Sequence, residues 1–417
     1  MKFLIHVLIS SNIYLVSTCA VAIDLDETRQ SFACTSGDVT ANSAIVWFRM
    51  EDQGTLTIEY SHSPDLRQHQ TLAPVTATDK NDYTIKTKLE KLTANTQYYF
   101  RGTVTGKKPG PICQFKTAPK PDDMNDIVFA VSGDTRESHM PFPIMDSIAA
   151  MKPDFFLFLG DSIYADYEGA ASELEDYWDK YKTIREDKAS QRLFSQTSLY
   201  MIWDDHEVEN NYEVDSPLIP VGRQAFFDYW PIEKNASNPN QLYRSYRWGK
   251  AAELFILDTR PYRNRDKGVI LGEQQKKWFM NAIAESNAMF KFVATPVPIS
   301  SGHYDKWGGF MSDRDEILTH VEEIPGVIFL TADVHYAADS SIPGYDESLR
   351  EIIIGPLGTK PNSKDKSHFK RFEFFYNESY NYALVRVFPN AKPPYVEIEI
   401  RDTDNNQLYK TRIEEDG

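Results

Sequence analysis

The sequence predicts a small N-terminal β-sandwich followed by a larger domain of mixed α+β / α/β character, and three observations predict it. From about residue 30 to residue 118, short alternating runs of β-branched and aromatic residues recur at sandwich spacing, with turn-forming clusters between them. From Ile127 onward, strand-like runs alternate with stretches of helical apolar spacing. The last hundred residues are β-rich again, enough to build a second sheet against the first. At 417 residues the chain exceeds one ordinary core, so two domains are expected.

In chain order, residues 1–22 read as a signal peptide outside the fold. Lys2 precedes a mainly apolar stretch from Phe3 to Val21, and Ala20-Val21-Ala22 has the small-x-small pattern of a cleavage site. Ser10, Ser11 and Asn12 interrupt the stretch, which argues against a permanent membrane span. Cys19 raises lipid attachment as the lesser alternative. The expected location is secreted, periplasmic or at the cell surface, with no transmembrane segment in the mature chain. Disulfides persist there, so Cys34 and Cys113, near the two ends of the first domain (23–118), are either a pair closing it or two buried thiols.

Strands of that domain are expected in AIVWFRM, TLTIEYS, YTIKTKL, YYFRGTV and ICQFKT, and Thr117–Asp123 reads as a linker. The second domain takes residues 124–417. Helices are expected over Pro143–Met151, Glu173–Ile184, Gln224–Trp230, Gly272–Asn287 and Arg314–Glu323. Strands follow in EIIIG, YALVRVF, YVEIEIRD and QLYKTRI, the last two joined by a hairpin turn at Thr403–Asn406.

Lys and Arg number 45 against 61 Asp and Glu, a net charge of −16. That balance argues against nucleic acid or an anionic membrane surface as a resting partner. Phosphorylated small molecules remain possible, because bound cations reverse the local field.

The chemistry is carried by five apolar runs that each end in an acid. IVFAVS leads to Asp134, FFLFL to Asp161, SLYMIW to Asp204-Asp205-His206, ELFIL to Asp258-Thr259-Arg260, and VIFLTA to Asp333-Val334-His335. Carboxylates and imidazoles at the C-terminal ends of core strands point into one crevice, where their repulsion calls for a cation. The donors are mostly oxygen, with one or two His and no Cys, which suits Ca²⁺, Mn²⁺, Fe³⁺ or Zn²⁺ better than a thiophilic ion. Asp161, tightly turned after Gly160, is the best candidate to bridge two metals. A hydroxide between such ions would be a nucleophile aimed at phosphorus.

Gly160-Asp161-Ser-Ile-Tyr164, the run from Trp203 through Asp204-Asp205-His206-Glu207 to Tyr212, Leu257-Asp-Thr-Arg260, Leu271-Gly-Glu-Gln-Gln275 and Asp333-Val-His335 follow one another in a distinctive order. In order and spacing they resemble the PhoD-like alkaline phosphatase and phosphodiesterase family, within the calcineurin-like metallophosphatases. The segments Ser36–Trp47 and Leu92–Phe100 resemble that family's N-terminal fibronectin/Ig-like module. The resemblance implies a four-layer αββα catalytic domain with two or more metals at the strand ends, Fe³⁺ and Ca²⁺ foremost and Mn²⁺ or Zn²⁺ possible. It implies Asp161 as bridging ligand, Tyr164 as a phenolate ligand, Asp205 and Asn210 as ligands, and Asp333 with His335 as the final pair. His206 resembles the histidine that faces the phosphoryl group.

One position departs from the pattern. Family members often carry a Cys ligand after the first catalytic strand, where this chain has Gly133-Asp134. Asp134 would replace the thiolate by an oxygen donor. Arg136 cannot ligate a metal, but it could clamp a phosphate. Arg260 has two equal readings, phosphate contact or pairing with a core carboxylate.

Two functions from different classes remain at this level. The first is a secreted metal-dependent phosphoesterase, cleaving phosphate mono- or diesters of a small molecule or a phospholipid-derived substrate, with His206, Arg136 and Arg260 as its catalytic residues. The second is a metal-bearing, non-catalytic surface or binding protein, which the altered first-strand motif favours.

Overall fold

The computed structural model describes residues 33–364 and 372–415. The expected signal peptide and Cys19 lie outside them. Among the described residues no helix is long and apolar enough to cross a membrane.

Two large sheets form the middle layers. The first has nine strands in the order Gln407–Glu414, Tyr395–Asp402, Asn381–Phe388, Ile127–Ser132, Phe155–Leu159, Ser198–Ile202, Ala33–Gly37, Ser43–Arg49 and Thr84–Glu90. The second has seven, in the order Arg244–Trp248, Ala252–Ile256, Phe290–Ala294, Val327–Thr331, Arg350–Ile353, Ala337–Ser341 and Phe374–Tyr376.

Alternation along the strands explains why both faces of each sheet are covered. In the seven-stranded sheet Leu254, Ile256, Phe292, Ala294, Ile328 and Leu330 join the main core shared with the nine-stranded sheet. Phe129 meets Phe292 edge-on across that layer, with ring centroids 5.0 Å apart. Their neighbours Phe255, Val293, Val327 and Phe329 point the other way, toward Phe279 and Ile283 of the helix Glu273–Glu285 and Ile317, Leu318 and Val321 of the helix Met311–Glu322. Four helices, Ile144–Ala150, Leu174–Arg185, Lys188–Gln196 and Ile219–Tyr229, contribute their apolar faces to the core of the nine-stranded sheet. The αββα architecture is thus observed.

Three differences from the sequence reading have simple causes. The helix expected at Gln224 begins at Ile219, because Pro220 falls in its first turn, where a missing N–H costs nothing. The helix expected from Arg314 begins at Met311. Lys188–Gln196 was not foreseen as a helix: it is short and Ser-containing, and its start rests on the Asp187 side chain accepting the Ser190 N–H at 2.7 Å.

The N-terminal region is not a detached bead. Its second sheet is Gln70–Thr71, Gly54–Ser61, Gln97–Val104 and Cys113–Lys116, with Val75–Ala77 also paired to Gly54–Ser61. Its first sheet is the edge of the nine-stranded sheet, reached where Gly37 pairs in parallel with Leu199. Val46 and Phe48 face the small core with Leu56, Ile58, Phe100 and Phe115, while Trp47 between them faces the larger core and donates its indole N–H to the Asp228 carbonyl at 2.7 Å. Cys34 and Cys113 are joined across this sandwich, with Cα atoms 6.5 Å apart.

Candidate metal centre

Three neighbouring parallel strands, Ile127–Ser132, Phe155–Leu159 and Ser198–Ile202, end side by side, and Val327–Thr331 of the other sheet ends opposite them. Each chain then turns sharply. Asp134, Asp161, Asp333 and His335 all have left-handed backbones, with φ of 66°, 53°, 67° and 55°. Non-glycine residues pay for that conformation, and the strain is concentrated where four polar side chains are turned into one cleft. Gly160 allows the tightest approach: a Cβ there would lie 2.7 Å from the Asp204 Cβ and 2.8 Å from its nitrogen.

The turns bring together three groups of donors whose ligand atoms lie within 4.8 Å of one another: Asp134, Asp161 and His335; Asp161, Asp205 and His206; and Asp161, Asp204, Asp205 and Asp333. Asp161 is common to all three, the position a bridging ligand must hold. Burial, and then the charges of Asp333 and Asp204, push the Asp134 carboxyl well above its ordinary value. Burial and the neighbouring Asp205, Asp204 and Glu207 do the same to Asp161. Both oxygens of Asp134 and Oδ1 of Asp205 are buried without a hydrogen-bond partner. Buried carboxylates left unsatisfied in this way fit cation ligation.

The two ring nitrogens of His335 have different surroundings. Nδ1 lies 3.0 Å from the Lys360 carbonyl and therefore carries the proton, which leaves Nε2 as an acceptor on the cleft side, beside the Tyr164 hydroxyl. Burial holds its pKa down to about 4. Tyr164, only 3% exposed, places its hydroxyl 3.1 Å from His335 Nε2. Burial, then Asp161 and Asp134, keep that phenol protonated well past its usual range, so a phenolate there requires a strongly charged ion.

His206 stacks on Tyr164 with centroids 4.1 Å apart, and its Nδ1 is 2.7 Å from Asp166 Oδ1. Burial disfavours the imidazolium, but Asp205 and Asp166 outweigh it and raise the pKa. Arg136 stands at the rim, stacked over Tyr167 at 4.3 Å and 3.0 Å from the exposed Glu168 carboxylate.

For Arg260 the structure shows the second of the two readings, pairing with core carboxylates, and Asn210 stands beside His206's partner Asp166. Arg260 has no exposed surface. It is bound through Nε and Nη2 to the two oxygens of Asp204 and through Nη1 to Asp305, with Asp205 at 3.4 Å, so it braces the carboxylates. Replacing it by Met should destabilise the protein by about 3–5 kcal/mol, because Asp204 is left buried and unpaired. Denaturant unfolding checks this, and unchanged stability would return Arg260 to the cleft. Asn210 is exposed, with its N–H on Asp166, and its side chain makes no hydrogen bond to the carboxylates. Its neighbour Asn211, with the amide oriented to suit its surroundings, donates to Asp305 and accepts from Asn210.

The strand-end acid Asp258 is also absent from the cluster, since its Oδ1 accepts the Trp203 indole N–H at 2.7 Å. Sequence reasoning missed several supports. Glu207 accepts the N–H groups of Asp161, Ser162 and Asp204 at 3.1, 2.6 and 2.8 Å, tying two strand ends together. Asp166 and the Asp305-Lys306 pair were also missed. Glu207 and Asp166 lie inside or beside recognisable motifs; Asp305 and Lys306 sit in an irregular loop with no local signal.

A profile of the PhoD-like phosphatase matches residues 128–404, and that of its N-terminal domain matches residues 18–119. The chain belongs to the PhoD-like phosphatase family. It is 23% identical over 438 aligned positions to alkaline phosphatase D of Bacillus subtilis (strain 168), covering 85% of this chain and 75% of that protein. The solved structure of PhoD superposes with a TM-score of 0.81 at 20% identity, covering 92% of this chain and 90% of that one. A purple acid phosphatase from yellow lupin (Lupinus luteus) seeds gives 0.69 at 13% identity, over 92% and 74%. These structural likenesses show a shared fold. The family match and the acid and histidine cluster together make this chain a PhoD-like, metal-dependent phosphoesterase in general type.

Proposed function

We propose that this PhoD-like chain hydrolyses phosphate mono- or diesters outside the cytoplasm, at a centre of two or more metal ions held by Asp134, Asp161, Tyr164, Asp205, Asp333 and His335. The observation that carries the reading is the convergence of three donor groups on Asp161. Fe³⁺ with Ca²⁺ is the first expectation, with Mn²⁺ or Zn²⁺ as alternatives, since carboxylate, phenol and imidazole suit all of them. When bound, the ions supply a nucleophilic hydroxide at neutral pH and neutralise phosphoryl charge.

The protein's own residues do the rest. Asp166 fixes the His206 ring through Nδ1, so Nε2 is free to donate a proton to the leaving oxygen. Arg136 pairs with the exposed Glu168, a weak surface contact, and can exchange it for a non-bridging phosphoryl oxygen. Arg260 and Glu207 hold the carboxylates and the turns in place.

Direct attack in one step predicts inversion at a chiral phosphorus, measured on an isotopically labelled ester. Retention would require two displacements and a covalent phosphoenzyme, contrary to this reading. The alternative of a non-catalytic metal-bearing protein rested on the missing Cys, and it loses force because Asp134 stands in the cluster where a first-strand ligand is needed.

A further inference from the structure

Lys306 opens the short 3-10 turn Trp307–Gly309 and sends its side chain, only 11% exposed, toward the cleft. Its ammonium is 2.9 Å from Asp305 Oδ2 and 2.5 Å from Asp333 Oδ2. The other Asp333 oxygen faces the Arg260 guanidinium at 3.8 Å. Both oxygens of this one candidate ligand therefore face protein cations.

Asp134 and Asp205 are different. Neither Asp134 oxygen has a hydrogen-bond partner, and Asp205 Oδ1 has none. The contact at Asp333 Oδ2 is a short ion pair, so a protein cation already stands at that oxygen. An ammonium and a divalent ion approaching the same oxygen repel each other at short range in a medium of low polarity. A metal at Asp333 must displace Lys306 or bind more weakly because of it.

We propose that Lys306 is a resident cation of the centre, which stands at Asp333 in place of part of a metal's charge and so limits how many ions the carboxylates take up and how tightly. This positioning role rests on the metal-centre reading above. It differs from a purely structural lysine, whose loss would leave ion binding unchanged or weaken it.

The test is Mn²⁺ titration by calorimetry, with elemental analysis, on the folded full-length protein. Lys306→Met should bind one further equivalent, or bind the weakest Mn²⁺ at least ~10-fold more tightly, because one opposing charge has gone. Lys306→Arg should behave as wild type, and adding Asp333→Asn to Lys306→Met should cancel the gain. If Lys306→Met does not fold, Lys306→Gln carries the same expectation. Mn²⁺ uptake that Lys306→Met and Lys306→Gln leave unchanged, or that they weaken, overturns the role of Lys306 alone. Wild-type protein that hydrolyses esters while taking up no ion overturns the metal-centre reading instead.

Discussion

Asp161→Asn is expected to reduce phosphoester hydrolysis by at least ~10³-fold in kcat/KM, the loss of roughly 4 kcal/mol of transition-state stabilisation. Asp161 is the one residue shared by all three donor groups, so its charge is used more than once. Asparagine keeps the shape and can still accept the His206 N–H that Asp161 Oδ1 now accepts at 3.3 Å. The fold should therefore survive. In metal-free protein the variant should unfold at the same temperature or higher, because a buried carboxylate crowded by Asp205 and Asp204 has been neutralised. Prolonged treatment with a strong chelator should abolish wild-type activity in the same way, with recovery on adding metal. Full activity in demonstrably metal-free protein would end the account.

His206→Ala should lower kcat by roughly 10² to 10⁴ with metal content retained. The ring lies near Asp161 and Asp205, so it could be read as a ligand. Its Nδ1 contact with Asp166 and its stacking on Tyr164 argue for a group held ready to move a proton. Metal analysis separates the two readings: a variant that loses an ion along with activity would reassign His206 to the ligand set. Asp166→Asn should show a smaller fall of the same kind, since it alters only the partner that orients the ring.

Much of this centre was legible in the chain because strand and turn chemistry is local. An apolar run followed by Gly-Asp, or by Asp-Asp-His, marks where a buried strand ends and a polar side chain must emerge. Asp134, Asp161, Asp205, Asp333 and His335 were all named on that basis, and the structure brings them together. The same logic overreached at Asp258, which ends a strand just as the others do. Its partners, Trp203 and Gln275, come from distant segments and hold it away from the cluster.

Arg260 shows the limit most clearly. In sequence it is the last residue of an Asp-Thr-Arg motif, equally suited to phosphate or to a carboxylate. Only packing decides that its guanidinium is sealed behind Asp204 and Asp305 with no exposed surface. Asn210 and Asn211 are likewise adjacent and alike, and the direction of the turn between them decides which one reaches Asp305.

The sequence by itself determined most of the elements and their order, the family, the strand-end acids and the need for a cation, since periodicity, turn residues and residue type are written locally. Tertiary structure decided what depends on long-range contact: that the N-terminal sheet continues the catalytic one through Gly37 and Leu199, and that Asp161 lies at the centre of the donors. It also decided that Lys306, from an irregular loop, stands against Asp333. Charges act through space over a few ångströms. Their balance in a cleft is set by which distant segments meet there, and no single stretch of the chain records it.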